Sequence, residues 1–220
     1  MDHGRGSRQA RAAFIAEFAI TEFARVVRRR RMTRSFADRP LPPGTLEHLV
    51  DLASRAPSAG KTQGWHLVVL EGDDTRRFWD ITLPVDRRDG FRWAGLLAAP
   101  VILLPFADPA AYVARYSEPD KAATGLGASA DAWPAPYWTI DASMALMTLL
   151  LAAEEVGLGA LLFGVFRGED ELRSALGVPE RLQLLGAVAL GWPGDATVGS
   201  GRSAGRVRRT PDLIVHRSQW

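Results

Sequence analysis

Residues 142–153 read ASMALMTLLLAA, the longest apolar run in the chain, and they limit the folds open to it. Twelve residues are too few to cross a bilayer, and Glu154 and Glu155 close the run. The spacing predicts a helix over 141–156, apolar nearly all round, which needs cover on every side. Gly157 and Gly159 follow as helix-stopping residues. A second segment, PVILLPF at 100–106, reads as a strand, and its unbroken apolar character predicts burial on both faces. Together they predict an α+β domain whose central strands are sandwiched by helices.

Other elements fit that plan. WHLVVL at 65–70 reads as a strand, as does QLLGAVAL at 183–190, and ALLFGVF at 160–166 as a strand or extended loop. TLEHLVDLASR at 45–55 reads as a helix that Pro57 prevents from continuing, with His48 exposed or at the core edge. Residues 169–176 read as a short helix stopped by Gly177. Residues 107–138, rich in Ala, Gly, Pro and aromatics, have the composition of a loop or lid. Trp133, Tyr137 and Trp138 there are available either as cavity walls or as core packing. An amphipathic arm helix is expected over 12–27, dividing the chain into an arm (1–27) and a domain (28–220).

Charge is unevenly spread. Residues 1–36 carry nine Arg against three acids and residues 200–220 five Arg against one, while the intervening 163 residues hold 13 bases and 21 acids. RRRRMTRSF at 28–36 packs five arginines into seven residues, a density that repels itself unless an anion sits against it. A small phosphorylated cofactor, a nucleic-acid backbone and plain solvation are the open readings. The acidic body and the lack of any helix-turn-helix, RNA-recognition or zinc-finger pattern argue against nucleic acid. With 25 Arg and two Lys, the arginine count by itself carries little weight.

The chain has no cysteine, which excludes disulfides, thiolate metal sites and cysteine nucleophiles. Its four histidines are scattered without ligand spacing, so no protein-bound metal is expected. Glu17 and Glu22 interrupt the apolar residues of the N-terminus, which does not read as a secretory signal; a cytoplasmic protein with no membrane partner is expected.

Four segments, in order, resemble the nitroreductase family: RRMTRSF at 30–36, APSAGKTQGWHLVVL at 56–70, DASMALMTLLLAAEEVGLGALLFG at 141–164, and LGVPERLQLLGAVALGWP at 176–193 followed by RRTP at 208–211. The resemblance implies a mostly antiparallel sheet sandwiched by helices, a homodimer, bound FMN, and NAD(P)H as transient co-substrate. It implies ping-pong passage of hydride through flavin N5 to an electron-poor small molecule of the nitroaromatic or quinone class. Relatives specialised for dehalogenation, metabolite oxidation or flavin consumption keep alternatives open on the same fold.

The resemblance also implies residue roles. Arg30 and Arg31 stand where the family holds the phosphate, and Arg208 and Arg209 where its tail closes on it. Arg34 stands where a cation faces the N1/O2 side of the flavin and favours its reduced anion. Pro57, Ser58, Ala59, Lys61 and Gln63 resemble the loop lent across the dimer to the neighbour's flavin. Leu162, Phe163 and Gly164 match the segment whose backbone amide faces N5, and Gly164 is expected to supply that amide. No protein acid or base is expected to be catalytic. The chain departs from the family at Met32, where a Ser is usual, at Lys61, where an Asn is usual, and at Gly64, where a Pro is usual. These departures imply a lost hydroxyl donor, a cation in place of an amide, and a loosened loop before Trp65, itself expected in the core.

Overall fold

The computed structural model describes residues 21–194, 201 and 204–220. In chain order its elements are α1 (Glu22–Arg29), α2 (Thr45–Ser54), β1 (Trp65–Glu71), α3 (Asp73–Thr82), β2 (Val101–Ala107), α4 (Pro109–Tyr116), α5 (Tyr137–Glu155), β3 (Gly159–Phe163), α6 (Glu169–Leu176), β4 (Gln183–Leu184) and β5 (Ala187–Gly191). The sheet runs β1-β2-β5-β3, with β4 pairing β2, and every pairing is antiparallel.

β2 is buried along its whole length, as its apolar run requires. Alternation sends Ile102, Leu104 and Phe106 to one face and Val101 and Leu103 to the other. The first face is covered by Phe78 and Trp79 of α3 and Leu172 of α6. The second is covered by Leu49 and Ala53 of α2 and by Leu146, Leu149 and Leu150 of α5. This is the sandwich expected of the chain.

The segment after α1 is a strap along the sheet edge. Met32 bridges Ala160 of β3, Thr33 N–H donates to the Ala160 carbonyl at 3.0 Å, and Phe36 bridges Pro193. Gly159 permits this approach, because a Cβ there would stand 2.5 Å from Thr33 Oγ1. Gly157, at φ +80°, ends the α5 segment in the left-handed conformation the sequence anticipated.

Several boundaries differ. Of the arm helix expected over 12–27, residues up to 20 lie outside the described residues; Thr21 is extended and accepts the Ala24 N–H at 3.1 Å, so it caps a helix, α1, that begins at Glu22 rather than 12 and continues to Arg29. Arg29 donates to the Glu154 side chain at 2.6 Å and to the Glu154 carbonyl at 2.8 Å, so it caps the end of α5. The segment over 107–138 contains α4, because Asp108 caps it by accepting the Ala110 N–H at 3.1 Å and Pro109 opens it. α5 starts at Tyr137 rather than 141. The strand over 183–190 is two strands, broken at Gly186 (φ +126°), where a Cβ would stand 2.6 Å from the Phe163 carbonyl oxygen. α3 was not anticipated, since DDTRRFWDIT shows no long apolar stripe.

Candidate functional site

A cavity of about 760 Å³ opens where β3 ends, between α3 and the loop that follows it. Arg34 from the strap, Phe78 and Trp79 from α3, Phe91 and Trp93 from the loop, and Leu161–Arg167 border it. The antiparallel pairing with β5 places Phe163 at the last ladder position, opposite Ala187, so the chain leaves the sheet at Gly164. Gly164 is exposed, and a Cβ on it would stand 2.7 Å from Phe166 Cζ, so only glycine lets that ring fold over the backbone.

Arg34 is held in place from two sides. Its Nη1 donates to the Met32 carbonyl at 3.1 Å, and its guanidinium stands 5.1 Å from the Trp93 ring centroid. The chain beyond β5 returns to it: a Cβ on Gly201 would stand 3.0 Å from Arg34 Nη2. No carboxylate borders the cavity among the described residues. Trp79 stacks on Phe163, with centroids 5.8 Å apart and planes 4° from parallel. Its Nε1–H is the single buried side-chain polar atom among the described residues that lacks a hydrogen-bond partner.

Of the residues singled out from sequence, Arg34, Leu162, Phe163 and Gly164 come together here. Met32 lies beside them, its side chain packed on the core cluster and its carbonyl on Arg34, so a side-chain donor has been exchanged for packing. Arg30 and Arg31 do not border the cavity; Arg31 donates to the Arg28 carbonyl at 3.2 Å. Arg208 and Arg209 lie on an exposed tail, Arg209 donating to the Leu213 carbonyl.

The loop of Pro57, Ser58, Ala59, Lys61 and Gln63 lies apart from the cavity, and it is tightly organised. Gly60, Lys61 and Gln63 have φ of 61°, 55° and 53°. Asp141 Oδ2, buried on α5, accepts the Ala59 N–H at 2.7 Å and the Tyr112 hydroxyl at 2.8 Å. Arg115 Nε donates to the Gly60 carbonyl at 3.0 Å, and Ser58 Oγ accepts the Gln63 N–H at 3.0 Å. Gly64 does not loosen this loop. It is buried, and a Cβ on it would stand 2.7 Å from the Tyr112 ring, so glycine is what lets Tyr112 pack there. Lys61 is exposed and makes no ion pair among the described residues.

Trp133 and Trp138 are buried with Tyr112 in a separate aromatic cluster and take the core-packing alternative; Tyr137, at the edge of that cluster, does not border the cavity either. Their indole N–H groups are satisfied by the Leu126 carbonyl and the Gln183 side chain. Trp65 packs on the core, as expected. The aromatic residues that do border the cavity, at 78–93, escaped the sequence reading because nothing periodic links them.

Among the described residues, no cluster of three potential metal ligands occurs, and no helix is long and apolar enough to cross a membrane.

Comparison with known proteins agrees with this architecture. Residues 27–192 match the Nitroreductase family. A protein of Archaeoglobus fulgidus, whose name couples NADH dehydrogenase with NAD(P)H nitroreductase, is 28% identical over 205 residues, covering 91% of this chain and 100% of the relative. A Bacillus subtilis protein named FMN reductase [NAD(P)H] is 28% identical over 195 residues, 86% of this chain and 71% of the relative. A structure from Exiguobacterium sibiricum, solved in complex with FMN, superposes with a TM-score of 0.69 over 89% of this chain and 97% of that one, at 19% identity. With three quarters of its length inside the family match, the chain belongs to the nitroreductase family of oxidoreductases.

Proposed function

We propose that the protein is an FMN-dependent NAD(P)H oxidoreductase that reduces an electron-poor small molecule, and that two copies pair to complete its sites. One observation carries the reading: Arg34 and Gly164, remote in sequence, meet at one cavity that no carboxylate borders among the described residues. The cavity's size and aromatic wall suit a flavin ring. Bound FMN would supply the redox chemistry, taking hydride from NAD(P)H in one half-reaction and passing it to the acceptor in the next.

The chain's own part is positional and electrostatic. Arg34 brings a fixed positive charge to the cavity, already oriented by Met32 and Trp93, so little reorganisation accompanies the appearance of negative charge there. Gly164 presents exposed backbone beyond the last ladder bond of β3. The aromatic residues exclude water and orient flat rings. The clamped loop at 57–63, with Lys61 at its tip, is assigned to the flavin of the second copy. Pairing is supported by Tyr137, Ile140, Met144 and Met147, which leave an exposed apolar stripe along α5.

The test is the visible spectrum of the purified protein and its bleaching by NADH and by NADPH. A yellow protein that bleaches and is reoxidised by nitroaromatic or quinone acceptors meets the proposal. A preparation that remains colourless after incubation with FMN and removal of the unbound flavin overturns it.

A further inference from the structure

The cavity carries more charge than a flavin ring and a neutral acceptor require. Arg87 and Arg167 border it together with Arg34, and six aromatic side chains make up the rest of its polarisable wall. Arg34 is engaged by Met32 and Trp93. The side chains of Arg87 and Arg167 are exposed and form no ion pair or hydrogen bond among the described residues. The neighbouring Arg88 shows the contrast, being bound to Asp80 at 2.6 Å and to the Leu83 carbonyl at 2.9 Å.

A guanidinium at an aromatic mouth does two things at once. It attracts an anion before contact, and it fixes a planar carboxylate by paired N–H donors. An anion drawn into an aromatic cavity must find such a partner, since without one its desolvation opposes binding. The aromatic walls supply flat apolar faces against which a ring packs. These features call for the same kind of ligand, a flat ring carrying an anionic oxygen group.

From this juxtaposition we infer that the cavity selects, as its oxidising substrates, aromatic carboxylates that also bear a reducible nitro or quinone group, with Arg87 and Arg167 holding the carboxylate. The inference deepens the proposed function, resting on it for the redox role of the site, while the selectivity itself belongs to binding.

The experiment is a titration of FMN-loaded protein with benzoate and with benzamide, its neutral analogue, read by quenching of tryptophan fluorescence, since Trp79 and Trp93 border the cavity. Benzoate is expected to bind at least about tenfold more tightly, a difference of about 1.4 kcal/mol. The double variant R87Q/R167Q is expected to erase that preference.

Equal affinities in the wild-type protein overturn the inference, as does a benzoate preference that survives in folded R87Q/R167Q. If that variant instead loses a preference for NADPH over NADH while still favouring benzoate, the two guanidiniums serve the nucleotide phosphate and the inference is likewise overturned. The wild-type comparison decides without any variant. A protein that takes up no FMN refutes the redox assignment by its spectrum, and the same titration on that protein still decides the anion preference.

Discussion

Asp141 shows what a single buried side chain does for this fold. In sequence it is one acid opening an apolar run; in the structure its Oδ2 accepts from Ala59 N–H and from the Tyr112 hydroxyl, tying α4, α5 and the loop at 57–63 together. That loop holds Lys61 and Gln63 in the left-handed region, at about 1–3 kcal/mol each for non-glycine residues, and such conformations persist only where the surroundings dictate them. D141A leaves two donors without their acceptor, at about 1–3 kcal/mol for each one buried. Thermal denaturation should report the loss, and limited proteolysis should cut near residues 58–64 first. Tyr112 adds a pH dependence. Burial, then the hydrogen bond to Asp141, raises its hydroxyl well above the ordinary value of 10.0. The unfolded chain therefore releases this proton at lower pH than the folded one, so its contribution is complete below about pH 10 and lost as pH rises beyond. Melting temperatures between pH 8.5 and 11 should fall more steeply for wild type than for Y112F; parallel curves would refute the assignment. None of this was legible beforehand, because no local pattern announces a contact between residues 59 and 141.

At the level of elements, legibility followed burial. β2 is apolar on both faces and α5 nearly all round, so each announced itself by composition alone, and α6 was bounded by Gly177. α3 buries only Phe78 and Trp79, too few for a stripe, so neither it nor the cavity wall it carries shows in the sequence pattern. The sequence at 183–190 shows one strand because the break at Gly186 follows from the nearby Phe163 carbonyl, a tertiary contact. α5 also shows where composition stops short: its side toward the sheet is buried, whereas Tyr137, Ile140, Met144 and Met147, three or four residues apart, are 36–43% exposed. A second copy of this chain is the proposed cover. Glutamates at Met144 and Met147 should therefore halve the mass seen by sedimentation. They should barely change the stability of the separated subunit, where exposed substitutions typically stay within about 0.5 kcal/mol. A mass unchanged by M144E/M147E would remove α5 from the interface.

Across the whole molecule, the two basic ends and acidic middle are the feature sequence displayed most openly, and the fold accounts for part of it. The strap carries Arg34 to the cavity, and Gly201 brings the returning chain against that same guanidinium. Arg29 is consumed in capping α5, which removes it from any anion site. Arg30, Arg31, Arg208 and Arg209 stay outside the cavity, and Arg208 and Arg209 sit on a tail exposed along residues 204–220. Like charges at both ends repel until an anion gathers them, and the proposed FMN phosphate is such an anion. The four arginines should then behave alike toward the cofactor and unlike Arg29. R30Q, and R208Q/R209Q, should each weaken FMN binding by about 10- to 150-fold per bond lost, as charge-assisted hydrogen bonds contribute about 1.5–3 kcal/mol. The loss should shrink as salt is raised, because the exposed tail is screened over about 10 Å at 0.1 M ionic strength. R29Q should instead lower the melting temperature and leave the FMN dissociation constant in place. Equal FMN affinity in wild type and R208Q/R209Q at low salt would show that the tail is merely solvated, and would confine the phosphate to the strap.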